Sequence, residues 1–447
     1  MYAFSRGIGV LILCVLVGRA GAGDLNPPVG PITPTMKTLV EVEPRIAVTA
    51  VNTPGDADSV FKITSPGSYY LVGNVTGAAG KSAVEIASDN VTLDLMGFDL
   101  IGVGGAVSGV SVDADLHENI VIRNGRVRDW PGYGIGLGPN ARNAVLMDLH
   151  IVNNFGGVVG GTVFARCIAR GNAGGGGFFG GAQFTDCQAI QNGAVGYTAS
   201  ATFERCLAQS NSGTGFASSG SSTFLSCTAV GNFGAGFSCG VTSTLTDCVA
   251  AGNTSGDGIA VGDHSTVTGC VSRSNVGRGI FAGSGCVIDD CQAVGNTGDG
   301  IAVTEGNITG CTSRSNGSDG ISASSRSIIQ RCTALSNSGD GVQVNSGSRV
   351  VDNTCDGNGP AAATGSGVHV LGNDNRVEGN NCTNNDVGFD IAGGANLIRG
   401  NFARNNTGDP CNNYVVVAGN WFGTLTNDTT LNTDKNPHAN FGPDCIP

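Results

Sequence analysis

Residues 311–321 read CTSRSNGSDGI, and near-copies begin at Cys270 (CVSRSNVGRGI) and at Cys332 (CTALSNSGDGV). Aligned on the cysteine, one position is held in turn by Cys167, Cys187, Cys206, Cys227, Cys248, Cys270, Cys291, Cys311 and Cys332, and the series continues through Asn353, Asn380 and Asn401. Successive steps are 19 to 22 residues, except one of 27 that carries the insertion GPAAATGSG beginning at Gly359. A unit this short is one supersecondary element. It cannot bury a face alone and must stack on its neighbours.

Each unit has the same internal order. Three residues before the aligned position the chain is apolar, from Phe164 to Ile398, and two residues after it stands a small residue such as Ala293, Ser313 or Ala334. Residues two apart share one face of a strand, so cysteine and small residue point the same way. Five residues after the aligned position every unit has Asn, from Asn172 to Asn406. Asn tolerates left-handed backbone angles, and identical amides on neighbouring units can hydrogen-bond along a stack. Gly and an apolar residue follow, as in Gly300-Ile301 and Gly320-Ile321, and start a third strand.

Three short strands and three bends per unit, with equivalent strands pairing in parallel, give an all-β, single-stranded right-handed parallel β-helix. Weaker units extend the series back through Asp148, Asn124 and Asp94, for roughly 15–16 coils of about 21 residues. Both ends need a cap, because an open coil is an unpaired sheet edge.

Composition agrees. The 447 residues include 74 Gly, with 13% charged and 6% aromatic residues, which favours strands and tight turns over helices. The net charge is −12, so nucleic acid and anionic membranes are poor partners. Lysine occurs only at Lys37, Lys62, Lys81 and Lys435. The N-terminus has one cation, Arg6, an apolar run from Ile8 to Val17 and the small-residue site Ala20-Gly21-Ala22, the pattern of a cleaved export signal. That pattern predicts a secreted, periplasmic or cell-surface protein without a transmembrane segment in the mature chain. The expected organisation is a signal over 1–22, a Pro-containing lead over 23–55, the β-helix with its N-terminal lid over 56–420 and a closing segment over 421–447.

The repeat resembles that of the pectin-lyase-like superfamily of right-handed β-helix proteins. SPGSYYLVGNV and NVTLDLMGFDLIG resemble the opening of its uncharacterised secreted members, and NNYVVVAGNWFG to NPHANF their ending. The resemblance implies the fold rather than an activity, because this fold carries many functions. The Asn-x-Asp, Asp-Asp, Gly-His-Gly and Arg-x-Lys set of polygalacturonases is not found.

Four groups of residues are candidates for chemistry. The cysteine line offers thiols about one strand spacing apart rather than converging on one ion, so it reads as buried, free and space-filling. Cys239, Cys355 and Cys382 also fall at inward positions, whereas Cys286, Cys411 and Cys445 lie outside the pattern, and Cys411 with Cys445 is the disulfide candidate. Asp257, Arg278, Asp299, Asp319 and Asp340 precede the strand-starting Gly and stack into one exposed stripe, either a calcium- or sugar-binding strip or a set of Asp-Gly turns. No other cofactor is expected. The outer face of the strand that follows shows Ala260, Phe281, Ala302, Ser322 and Gln343, none an acid or base. In the early coils His117, Arg123, Arg128, Asp129, Trp130 and Tyr133 form a polar group fit for an anionic glycan or for a charged surface. The later register copied onto these coils would turn Arg126 and His150 inward, which predicts a shifted pleat.

These observations favour an exported β-helix that binds carbohydrate, or serves as a structural or adhesive surface component, without turnover. The alternative is a polysaccharide lyase or glycoside hydrolase acting on an acidic polysaccharide. A polysaccharide or a cell-surface glycan is the expected partner.

Overall fold

The computed structural model describes residues 43–360, 365–407, 413–426 and 439–442. The chain divides into two units, Met1–Pro44 and Arg45–Pro447, and the first lies almost wholly outside the described residues. The export signal and both Cys411 and Cys445 also fall outside them.

Among the described residues of the second unit every element is a β-strand, and 49 of these strands join one continuous sheet. They form three parallel ladders. The first runs from Ile46–Val48 to Trp421–Phe422, the second from Val75–Thr76 to Asn440–Phe441 and the third from Ser59–Ile63 to Tyr414–Val416. The solenoid has about 18 turns, more than the 15–16 read from the repeat. Ile46–Val48 belongs to a turn without the cysteine and asparagine signature, and the turn of Trp421–Phe422 has its ladder asparagine at Asn440, 39 residues after Asn401, so spacing alone does not reveal them.

Bends are set by left-handed residues. Asp290 (φ 50°) and Arg331 (φ 51°) immediately precede Cys291 and Cys332, while Ser315 (φ 53°) and Ser336 (φ 52°) precede Asn316 and Asn337. The left-handed angle expected at the stacked asparagines is therefore one residue earlier. The preceding residue turns the chain, and the amide is free to point inward.

Inside, each asparagine amide joins three turns. Nδ2 of Asn296 donates to the carbonyl of Ser272 at 3.1 Å and to Oδ1 of Asn316 at 3.0 Å. Its Oδ1 accepts from the backbone N–H of Asn275 at 3.1 Å and from its Nδ2 at 2.9 Å. Buried polar groups cost stability only when left unpaired, and both atoms of this amide are paired. Where asparagine replaces the cysteine the same ladder forms, from Asn353 to Asn380 and Asn401. A third ladder follows the third strand: the N–H of Ser243 donates to Oγ of Ser265, and Ser327 to Ser348, at 3.0 and 3.2 Å. Cys286 occupies a place in this ladder, its thiol accepting from the N–H of Ser265, so it is buried within the repeat rather than outside it.

The core changes along the axis. Phe164, Phe184, Phe203 and Phe224 stack at centroid distances of 4.6, 4.9 and 4.7 Å, close to one strand spacing. A second stack, Phe178 to Phe237, meets them edge-on. Later turns substitute Leu245, Val267, Ile288 and Ile308. Thirteen cysteines are buried and unpaired among the described residues, and burial pushes the Cys239 and Cys286 thiols above their ordinary range.

In the early coils Asn124 and Asp148 align with Arg166, one residue before the cysteine position, and all three are left-handed. Leu149 and Gly125 therefore stand where later turns have cysteine. A side chain on Gly125 would meet Cβ of Leu95 at 2.3 Å, so Leu95 already fills that space. Arg126 and His150 consequently point outward and are exposed, as the shifted pleat requires.

Candidate functional site

The aspartate stripe precedes the third-ladder strands, and it is not exposed as the sequence suggested. Asp257, Arg278, Asp299 and Asp319 are half-buried and Asp340 is 5% exposed. Each carboxylate reaches along the axis to the next turn. Oδ1 of Asp257 accepts from the N–H of Arg278 at 2.7 Å, Oδ1 of Asp299 from Asp319 at 3.1 Å, Oδ1 of Asp319 from Asp340 at 2.8 Å and Oδ1 of Asp340 from Ser366 at 2.6 Å. One oxygen of each acid is thereby committed to the backbone. Among the described residues no group of three or more His, Cys, Asp or Glu is arranged to hold a metal ion.

The outer column of the third ladder continues past Gln343 to His369 and then Asp390. Sequence spacing missed both, because the 27-residue step displaces them from the 21-residue register. The signal that finds them is the strand pattern: GVQV at 341–344 is matched by GVHV at 367–370 and GFDI at 388–391.

Here acid and base meet. Nδ1 of His369 donates to Oδ2 of Asp340 at 2.8 Å, and Nε2 lies 3.7 Å from Oδ2 of Asp390. Nε2 of Gln343 donates to the same Asp340 oxygen at 3.1 Å. Asp340 thus has both oxygens occupied. His369 and Asp390 keep partly exposed side chains, 22% and 32%. The hydrogen bond to Asp340 holds the imidazolium above the usual histidine range, against the opposing effect of burial. Burial lifts the Asp319 carboxyl to about 6, with Asp340 and Asp299 adding to the rise. Burial likewise raises Asp390. One face therefore holds a carboxyl still protonated in mildly acidic solution and a histidine–carboxylate pair.

The early polar group does not converge. His117 lies 2.8 Å from Asp113 and 3.2 Å from Asp89. Arg123 pairs with Asp94 at 3.1 Å, and Arg128 with Asp99 at 2.8 Å and Asp129 at 2.6 Å. Trp130 is 1% exposed, its indole N–H donating to the carbonyl of Leu100 at 3.1 Å, so it offers no stacking face to a ligand. Tyr133 alone of the two aromatics is exposed. These cations tie neighbouring turns together, as do Arg166–Asp148 and Arg205–Asp186 at 2.6 and 2.7 Å.

A family profile described as right handed beta helix region matches residues 257–408, the span that holds the stripe and the histidine pair. The fold is a right-handed β-helix. Among solved structures, the A-module of Azotobacter vinelandii mannuronan C-5 epimerase AlgE6 is 16% identical, with 86% of this chain and 91% of that chain covered and a TM-score of 0.38. The tailspike protein of E. coli bacteriophage HK620, solved with a pentasaccharide, is 11% identical over 86% of this chain and 72% of that chain, TM-score 0.22. The Dettilon tailspike protein is 11% identical over 86% and 60%, TM-score 0.23. Comparison with curated proteins gives no match. The β-helix contains no helix long and apolar enough to cross a membrane among the described residues.

Proposed function

We propose that this chain is an exported β-helix protein that binds a polysaccharide against its third ladder and hydrolyses it there. The observation that carries the reading is the meeting of Asp319, Asp340, His369 and Asp390 on one partly open face. It favours the hydrolytic alternative over a purely adhesive surface. Turn residues alone would not need a histidine gripped by a buried carboxylate.

Glycoside hydrolysis needs one protonated and one ionised carboxyl group. Asp319 supplies the proton to the departing glycosidic oxygen as the bond to the anomeric carbon breaks. Water adds to that carbon and gives its proton to Asp390, whose charge the His369 imidazolium steadies. Asp340 touches neither reactant and positions the ring. Asp319 and Asp390 stand three turns apart, about 14 Å between backbones. That separation is far too wide for the direct attack of a retaining enzyme, so the step proceeds with inversion. Export is supported by the N-terminal pattern of one cation, apolar run and small residues.

The test is release of reducing ends from a panel of neutral and acidic polysaccharides, with and without calcium. Wild-type protein should release them from at least one polymer, and Asp319→Asn should lower the rate at least a hundredfold. Binding without release by the wild type would restore the non-catalytic reading.

A further inference from the structure

The outer residues of the third ladder make one strip with one residue per turn, and its chemistry bears on the substrate class of the proposed site, on which this inference rests. From Thr198 through Ser238 and Ala260 to Ala302, Ser322 and Gln343, no acid and no cation points outward from the strip. Its early part is a shallow depression of about 360 Å³ lined by Thr198, Ser200, Ser218, Ser219 and Ser238 together with Ala199 and Ala217. That size suits a bound ligand. Nearer the histidine, Ala302 keeps the floor low, and Thr304, Ser324 and Asn345 stand exposed along one side.

The charges beside this strip are one-sided. Each cation on the face is already taken: Arg278 by Asp257 at 3.0 Å, Arg326 by Glu305 at 2.9 Å and His369 by Asp340 at 2.8 Å. Arg278 also lies over the Phe281 ring, 3.8 Å from its centroid. Asp299, Asp319 and Asp390 have no such cation committed to them alone, and no lysine occurs between residues 82 and 434. A polymer carrying carboxylates or sulfates would meet an excess of acid on a face whose cations are already paired. Hydroxyls and amides suit uncharged sugars, whose hydroxyls donate and accept.

We infer that the strip from Thr198 to Asp390 is a track for an uncharged polysaccharide lying along the β-helix axis, and that it rejects uronate and sulfated chains. The track reaches the acid–histidine cluster only at its C-terminal end. A chain held there presents one internal linkage to Asp319 and its neighbours, with the depression gripping it several turns away.

Affinity gel electrophoresis of the full chain tests this. Asp319→Asn, which leaves the strip intact, is run through gels containing mixed-linkage glucan, galactomannan, alginate or polygalacturonate. At least one neutral polymer should retard it fivefold or more, with neither uronate polymer doing so. Ser238→Glu, an exposed change in the depression, should abolish the retardation while the circular dichroism spectrum stays unchanged. Retardation by alginate or polygalacturonate alone overturns the inference, as does a neutral-polymer retardation that Ser238→Glu leaves intact or no retardation in any gel. Retardation by a neutral polymer that wild-type protein never cleaves leaves the track standing and sinks the hydrolytic reading instead.

Discussion

The imidazole of His369 donates from Nδ1 to Oδ2 of Asp340 across 2.8 Å, and Asp340 is almost fully buried beneath it. The two residues come from successive turns. The bond fixes both the ring orientation and its charge, and Gln343 and the N–H of Ser366 fix the acid in turn.

Removing the charge of Asp340 should therefore change the histidine before anything else. Its folded midpoint is raised above 6.5, so the stability this pair contributes is full below pH 6.5 and lost as pH rises through the folded midpoint. In Asp340→Asn the ring loses the main cause of the rise. Histidine-selective NMR titration should show the His369 midpoint falling, while the other four histidines hold theirs. An unmoved midpoint would mean that Asp340 does not set the charge of the ring.

Asp319 has the same sign for a different reason, since burial penalises its charged form. Its folded midpoint, about 6, stands above its unfolded value, so the protonated form is favoured by folding. That contribution is complete below about pH 4 and disappears as pH rises through 6. Asp319→Asn keeps an oxygen to accept from the N–H of Asp340 and carries no charge to bury. It should be more stable than wild type by about 2 kcal/mol at pH 8 and indistinguishable at pH 4, by chemical denaturation at both values. Greater stability with lost turnover is the signature of a functional group held at a cost to the fold.

The asparagine ladder carries a structural prediction. Asn296→Ala removes one acceptor used by Asn275 and two donors, used by Ser272 and Asn316. Buried partners left unsatisfied cost about 1–3 kcal/mol each, so a loss of about 3 kcal/mol is expected. Hydrogen exchange should show protection falling in the turns on either side of residue 296 and persisting near the Phe203 stack, because each turn touches only its neighbours. Uniform loss along the chain would contradict a one-dimensional assembly.

Phe203→Ala should be among the most destabilising single changes. The ring lies 4.9 and 4.7 Å from Phe184 and Phe224 and meets Tyr197 and Phe216 edge-on. Emptying that place costs about 3–5 kcal/mol. Thermal unfolding should register it, and a shift no larger than that of Ala208→Gly would contradict the cost expected of emptying this buried place.

The solenoid was legible because its determinants are local and repeated. Cysteine, small residue, Asn and Gly recur at fixed offsets, and each proves to be inward filler, ladder or strand start. The early register slipped by one because Asp148 and Asn124 imitate a ladder residue while serving as left-handed turn residues. The aspartate stripe was seen but misjudged, since sequence does not reveal that a carboxylate will bend along the axis to the next turn's N–H. Trp130 and Tyr133 look alike in sequence, yet only one is buried. His369 and Asp390 were hidden by the insertion at Gly359, and a strand-by-strand comparison recovers them where fixed spacing does not.

The central claim is that His369 and its carboxylates face a bound glycan. It is tested most directly by titrating isotope-labelled histidines in Asp319→Asn protein with a neutral oligosaccharide that the protein binds. The account predicts that the His369 resonances, assigned by their loss in His369→Gln, shift saturably and change midpoint, while those of His117 stay fixed. Saturable binding that leaves His369 untouched would contradict it.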